Sequence, residues 1–125
     1  MITVVASIKG VSPYSQSRPI QSVKNTGESH DAFEERTWRE RLHVNDAGNV
    51  FIPPMAIKNM MCDCARFLSE TVPGKGKATW TKHFDAGIMV VSPAEIGVKA
   101  DEVIGERLFV PSDGKKGGST RVWLS

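Results

Sequence analysis

The sequence predicts an α+β protein in which an antiparallel sheet carries one main docking helix, within a single domain over residues 1–125. Three features lead to this prediction. A turn cluster at residues 45–48 separates two apolar runs, a proline pair opens an amphipathic stretch over residues 54–68, and apolar residues alternate with polar ones near the N-terminus. Strand and helix periodicities therefore occur in one short chain, which is typical of mixed folds.

A first strand is predicted over residues 2–9, where apolar side chains alternate with more polar ones up to Gly10. The segment Val11–Ser29 follows, rich in Ser, Pro and Gly and without periodicity. Because it is too long for an ordinary connector, it is either a functional loop or a disordered one. Within it, Tyr14 could stack on a base while Arg18 contacts a phosphate, or the tyrosine could simply pin the loop to the core.

A short helix is predicted to follow Ser29, which can cap it and which precedes several acidic residues. The end of this helix is predicted near Arg39, because residues 38–44 also alternate as a strand would. A strand there would place Arg39, Arg41 and His43 on one face. That face could contact phosphates, or it could be a solvated face paired with the nearby acids.

A β-hairpin followed by a helix is predicted at the centre of the chain. The turn at residues 45–48 needs a positive φ at Gly48, and the Pro53-Pro54 pair ends the second strand. Pro54 also suits the first turn of a helix, where its missing N–H is not needed. The helix Met55–Leu68 has an apolar stripe, formed by Ile57, Met60, Met61, Cys64, Ala65 and Leu68.

The rest of the chain predicts loops and further strands. Thr71–Gly87 is predicted to be irregular, and its PGKGK run lacks the spacing of a phosphate-binding Walker loop. Ile88–Val91 is predicted as a central strand, and Ile96 and Val98 as part of an edge strand. Residues 107–110 and 120–124 are predicted to pair as a hairpin.

Charge is segregated along the chain, although the formal net charge is only +2. Residues 1–27 and 71–84 contain no acid, and residues 107–125 contain one, Asp113. If these segments meet on one side of the sheet, they form a basic face with aromatic stacking surfaces. Alternatively, Trp80 and Phe84 anchor a mobile solvent loop. The candidate nucleic-acid-binding residues are Lys9, Tyr14, Arg18, Lys24, Arg39, Arg41, Lys75, Lys77, Trp80, Lys82, Lys115 and Lys116.

The sequence lacks the spacings that catalysis or metal binding requires, so we predict no enzyme activity, no cofactor and no metal. The three histidines are scattered, and Cys62 and Cys64 have neither zinc nor redox spacing. Because these cysteines point apart on a helix, we predict free thiols in a reducing compartment. No stretch is long enough to span a membrane and no basic leader precedes the first strand, which predicts a cytoplasmic protein.

The order of these features resembles that in a group of small bacteriophage proteins. The residues that carry the resemblance are Ile8–Pro13, Trp38, Asp46–Gly48, Ile52–Pro54 and Lys82–Val91. That group is similar to the RNA-recognition-type, RAMP-like backbone subunits of CRISPR effector complexes. The resemblance implies a ferredoxin-like sheet that binds single-stranded DNA or RNA with little sequence preference, in the bacterial host cytoplasm. Longer members continue with a glycine- and arginine-rich segment, so this chain resembles a C-terminally shortened member.

Three hypotheses of function follow. The first is a non-enzymatic protein that binds single-stranded nucleic acid. The second is an anti-CRISPR-type inhibitor, whose acidic residues 28–40 or 95–106 dock on the basic channel of a host defence complex. The third is a structural component that forms homo-oligomers through exposed strand edges.

Overall fold

A computed structural model of the protein describes residues 1–111 and 119–124, which form the mixed α+β fold that the sequence predicts. The helices are α1 (His30–Thr37), α2 (Pro54–Leu68) and α3 (Thr81–Gly87), and a 3₁₀ turn spans Trp38–Arg41. The strands are β1 (Asn49–Ile52), β2 (Ala94–Lys99), β3 (Glu106–Pro111) and β4 (Ser119–Leu124). They form two antiparallel pairs, β1 with β2 and β3 with β4.

The chain divides into two compact units. The first unit contains Met1–Leu42 and the described residues from Val103 onward, and the second contains His43–Glu102. Each unit holds one strand pair and at least one helix.

In the first unit, α1 begins where the sequence predicts. The Ser29 hydroxyl accepts a hydrogen bond from the Ala32 N–H at 3.1 Å, which satisfies one of the free N–H groups of the first turn. The Thr37 side chain is fully buried, and its hydroxyl donates to the Phe33 carbonyl at 2.7 Å. Trp38 and Leu42 are also buried and form the apolar core of this unit.

The alternative in which the chain continues as a strand from about Arg39 is wrong, because Trp38–Arg41 form a 3₁₀ turn directly after α1. The apolar alternation does not produce a strand, since a strand needs backbone partners along its length. Only Val44 forms an isolated bridge, with Val50. Arg39 and Arg41 therefore do not lie on the face of a strand, and each forms its own local contacts.

The predicted N-terminal strand is also absent. Met1–Gly10 have no regular secondary structure, and every residue among them is exposed. The alternating pattern predicts how these side chains would be arranged in a sheet. The pattern does not specify a neighbouring strand, and pairing depends on one. No strand of residues 1–111 or 119–124 pairs with residues 1–10.

The predicted C-terminal hairpin is confirmed. β3 and β4 pair in an unbroken antiparallel register from Glu106–Leu124 to Pro111–Ser119, and α1 lies alongside β4. Residues 112–118, which include the candidate residues Lys115 and Lys116, lie outside the described part of the chain.

In the second unit, the predicted turn, second strand and helix are confirmed, whereas the first strand of the predicted hairpin is reduced to the bridge between Val44 and Val50. The Asn45 N–H donates to the Asn49 carbonyl at 3.0 Å across the turn, and Gly48 has φ 81°. Pro54 occupies the first turn of α2. The helix ends at Leu68, and the residue that caps it, Ser69, has the left-handed conformation. Val50 is almost fully buried, and Cys62 and Ala65 of α2 are buried as well. Both cysteines are free thiols, as predicted.

β2 pairs with β1, so the predicted edge strand around Ile96 is confirmed. The predicted central strand at Ile88–Val91 is wrong, because these residues have no strand pairing and the side chains of Met89 and Val91 are exposed. The prediction of an irregular Thr71–Gly87 segment is wrong for its second half, which forms α3. No helix in the described residues is long and apolar enough to cross a membrane.

Candidate nucleic-acid interface

A closed loop, Val72–Ala78, carries two of the candidate lysines; we call it the lysine loop. The Val72 N–H donates to the Ala78 carbonyl at 2.8 Å, and the Lys75 N–H donates back to the Val72 carbonyl at 3.1 Å. Gly74 and Gly76 take positive φ values of 73° and 63°, which glycine adopts at little cost. The loop therefore has a defined backbone, with Lys75 and Lys77 exposed beside its glycines.

An isolated bridge between Thr71 and Thr79 closes the base of the lysine loop and brings the chain to Trp80. The Trp80 N–H donates to the Glu70 carbonyl at 3.1 Å. Its own carbonyl accepts the His83 and Phe84 N–H groups, so Trp80 caps α3. The backbone of Trp80 is therefore held by hydrogen bonds on both sides.

The Trp80 side chain is accessible for stacking. The residue is 39% exposed, whereas Trp38 of the first unit is only 7% exposed. The Trp80 ring centroid lies 5.3 Å from that of His83 at a tilt of 57°. Lys82 follows within the same helical turn and is exposed. An aromatic face with cations nearby is the arrangement on which single-stranded nucleic acids stack.

An apolar groove of about 210 Å³ lies beside Trp80, between α2 and α3. Its single charged lining residue is Glu70. The other lining residues are Met60, Met61, Cys64, Ala65, Leu68, Trp80 and Phe84. The predicted apolar stripe of α2 is therefore only partly buried, because Met60 and Leu68 are 53% and 63% exposed.

Lys58 of α2 contacts the C-terminal end of α3. Its ammonium donates to the carbonyl oxygens of Phe84 and Asp85, the latter at 3.0 Å. A cation at the C-terminal end of a helix satisfies free carbonyl groups and interacts favourably with the helix dipole. The sequence alone gives no indication of a role for Lys58. It lies on the polar side of α2, and that position does not predict a contact with carbonyl groups 26 and 27 residues later in the chain.

The three lysines that flank Trp80 in the sequence are not neutralised by acids of the described residues. In the described part of the chain, Lys75, Lys77 and Lys82 form no salt bridge. The neighbouring cation Arg66 differs, because it lies 2.6 Å from Asp63 and 3.7 Å from Asp85. The lysines are therefore the positive groups of this surface that remain available to an anion.

Six of the candidate residues that the structure describes lie in the first unit, and they divide into two kinds. Lys9, Arg18 and Lys24 are exposed, and Tyr14 is half exposed. The two arginines of the 3₁₀ turn are engaged within the unit. Arg39 lies over the Trp38 ring at 4.2 Å and donates to the Val103 carbonyl, and Arg41 forms a 3.0 Å ion pair with the largely buried Glu34.

The long loop of the first unit is held in place by two glutamates, which the sequence analysis did not identify. Glu40 accepts hydrogen bonds from the N–H groups of Gln21 and Ser22 at 3.1 Å and from the Ser22 hydroxyl. The hydrogen bond from the Ser22 hydroxyl is the main cause that lowers the pKa of Glu40. Arg36 donates to both oxygens of Glu28, at 3.0 and 3.1 Å, and this lowers the pKa of Glu28.

Ion pairs engage three acids of the group at residues 28–40. Glu28 is paired with Arg36, Glu34 with Arg41, and Asp31 with Arg107 at 2.7 Å. These carboxylates are therefore engaged inside the first unit. Elsewhere in the described residues, no group of three or more His, Cys, Asp or Glu side chains could hold a metal ion.

Comparison with known proteins gives no further assignment. No protein-family model matches the chain, and neither a curated protein nor a solved structure is significantly similar to it.

Proposed function

We propose that the second unit binds single-stranded nucleic acid on the surface formed by the lysine loop, Trp80 and Lys82. The observation that supports this proposal most directly is an accessible indole at the residue that follows the base of the lysine loop, whose exposed lysines, like Lys82, form no salt bridge with the described residues. In this proposal the protein has no enzymatic role. Binding needs only a π surface and positive charge, and both are present.

The two interactions have separate tasks. A base stacks on the Trp80 ring, which contributes about 1–3 kcal/mol per stacked base whatever its identity. The lysines contact phosphates and release counterions from the strand. Neither interaction reads the edges of the bases, so binding is expected with little sequence preference.

The finer assignment, a ferredoxin-like sheet of the RNA-recognition type in a bacteriophage protein of the host cytoplasm, belongs to the same proposal. Such a sheet requires the β1–β2 and β3–β4 pairs to join. Cross-strand contacts that join the two pairs in solution, detected by NMR, would support it, and two pairs without backbone hydrogen bonds between them would exclude it.

Binding is tested by fluorescence anisotropy with labelled single-stranded DNA and RNA oligonucleotides at several salt concentrations. Three lysine–phosphate contacts predict a slope of log K against log salt of about −2 for a single strand. Replacing Lys75, Lys77 and Lys82 together by glutamine should bring that slope close to zero. The matched control is Lys99→Gln, which removes an exposed lysine of β2 and should leave the slope unchanged.

The stacking contribution is tested by Trp80→Ala, which should weaken binding roughly 5-fold to 100-fold. The Trp80→Phe variant keeps a ring and should recover part of the loss. Binding that ignores both salt and these substitutions, or no binding at low salt, would contradict the proposal.

The inhibitor hypothesis is tested by a separate experiment. Because Glu28, Asp31 and Glu34 are paired within the first unit, they are less available to a basic partner. A pull-down from host lysate with and without nuclease separates the hypotheses. A protein partner that persists after nuclease treatment would favour the inhibitor.

A further inference from the structure

The N-terminal segment has the side-chain pattern of a strand, but it makes no strand pairing with the described residues. Ile2 and Val4 are 92% and 81% exposed, and Ile8 is 67% exposed. Three large apolar side chains spaced at even positions would share one face if the segment were extended in a sheet. In water, this arrangement leaves both apolar surface and backbone hydrogen-bonding groups without a protein partner.

The second unit has an open strand edge of matching length. β1 lies between two neighbours, since Val44 bridges to Val50 on one side and β2 pairs on the other. β2 itself has six residues and pairs only with β1 among residues 1–111 and 119–124. Ile96, near the middle of β2, is 43% exposed. A sheet this small gains stability from each added strand.

Charge favours the same pairing. Residues 1–11 contain Lys9 and no acid. The acceptor region, β2 and the turn after it at residues 94–102, contains Glu95, Asp101 and Glu102 against one lysine, Lys99. A basic, acid-free segment and an acid-rich edge are complementary, which favours their encounter over pairing of two identical edges.

We propose that residues 2–8 of one copy of the chain add as a strand to the outer edge of β2 in a second copy. The chain carries both the strand and the edge, so the association is self-complementary and needs no other partner. Backbone hydrogen bonds give the affinity, and the alternating apolar side chains give the register. The inference is independent of nucleic-acid binding and is tested on nuclease-treated protein.

The association is measured by sedimentation velocity over a wide range of protein concentrations. We expect a reversible rise in mass with concentration for the wild-type chain and a monomer for a chain that lacks residues 2–9. A wild-type monomer at every concentration would overturn the proposal, as would association that survives the deletion.

Proline substitution tests whether the contact is strand pairing. Along an added edge strand, alternate N–H groups face the partner, and proline has no N–H. One of the two double variants, Thr3→Pro with Val5→Pro or Val4→Pro with Ala6→Pro, should abolish association, while the other retains much of it. Equal effects of the two variants would indicate unspecific apolar contact and overturn the proposal.

The folded monomer provides the control for these variants. Because residues 1–10 are exposed and outside any element, neither proline pair should change the circular dichroism or the midpoint of thermal unfolding at low concentration. On the acceptor side, Ile96→Lys places a charge on the β2 edge and should also give a monomer. An Ile96→Lys chain that still associates as the wild type does would exclude β2 as the acceptor.

Discussion

The Lys58 ammonium on α2 lies 3.0 Å from the carbonyl oxygen of Asp85 at the C-terminal end of α3. The same ammonium contacts the Phe84 carbonyl. We expect Lys58→Met, which keeps the length of the side chain, to destabilise the protein by about 1 kcal/mol, because carbonyls at a helix end lose a charged donor. The effect should be local, and amide hydrogen exchange should accelerate most in α3.

The control for this substitution is Lys82→Met, which removes the same charge from an exposed position on α3 itself. It should leave the exchange rates of α3 nearly unchanged. If both variants accelerate exchange equally, net charge rather than the contact with Asp85 stabilises the helix.

The close approach of Gly105 to Trp38 gives a second prediction. A Cβ on Gly105 would lie 2.8 to 2.9 Å from three atoms of the Trp38 ring, which is too close for the buried indole to accept without moving. We expect Gly105→Ala to lower the free energy of unfolding by about 1–3 kcal/mol through overpacking. Chemical denaturation followed by circular dichroism measures the change.

Gly87→Ala is the matched control for Gly105→Ala, since no atom lies within 4 Å of the added carbon. It should be neutral or slightly stabilising, because alanine restricts the unfolded chain more than glycine does. Equal stability of the two variants would mean that the Trp38 ring shifts freely.

The Glu40 anchor predicts a pH dependence of the long loop. The Ser22 hydroxyl and N–H, with the Gln21 N–H, hold the pKa of Glu40 below its ordinary value of 4.5. A carboxyl whose pKa is lower when folded stabilises the fold fully above about pH 4.5, and this contribution is lost as the pH falls through the folded pKa. We expect the amide signals of Gln21 and Ser22 to move and broaden below pH 4.5.

In Glu40→Gln the amide cannot titrate, so the same two signals should no longer respond to Glu40 in that range. Wild-type signals that stay constant from neutral pH to the acid limit of the fold would show that the anchor does not hold the loop in solution.

Substitutions at Gly48 measure the cost of backbone strain alone. A Cβ there would have no atom within 4 Å, and φ is +81°. We expect Gly48→Ala to cost about 1 kcal/mol of stability, and Gly48→Asn to cost less, because asparagine tolerates the left-handed region. Thermal unfolding of the two variants measures the difference. The reverse order would mean that the turn changes its type to accept alanine.

Sequence reasoning succeeded where the information is local. The Ser29 cap, the turn at Gly48 and the helix start at Pro54 each depend on residues within one or two turns of chain, and all three are confirmed. The strand assignments at residues 2–9 and 88–91 failed. An apolar pattern predicts which side chains a strand would bury. Whether the strand forms depends on a partner elsewhere in the chain, which the pattern does not specify.

The candidate site remains a prediction. Trp80 and the lysines at positions 75, 77 and 82 were chosen from composition and belong to the second unit, whereas the other described candidates belong to the first unit. The helix α3 was missed, although Trp80, Phe84 and Ile88 follow one another at a spacing of four residues, which indicates a helix. The helix was missed because the glycines and lysines of the preceding loop led to the prediction that the whole segment is irregular. The contacts of Lys58 and Glu40 could not be predicted, because each joins side chains far apart in sequence.

The bridge between Thr71 and Thr79 has a consequence for how this surface can vary. Since the lysine loop is closed at its base, its tip can change in length while the backbone of Trp80 stays in place. Inserting one or two residues between Gly74 and Gly76 should therefore move Lys75 and Lys77 without moving Trp80. If the second unit binds nucleic acid as proposed, the span of its phosphate contacts would be adjustable separately from the strength of base stacking.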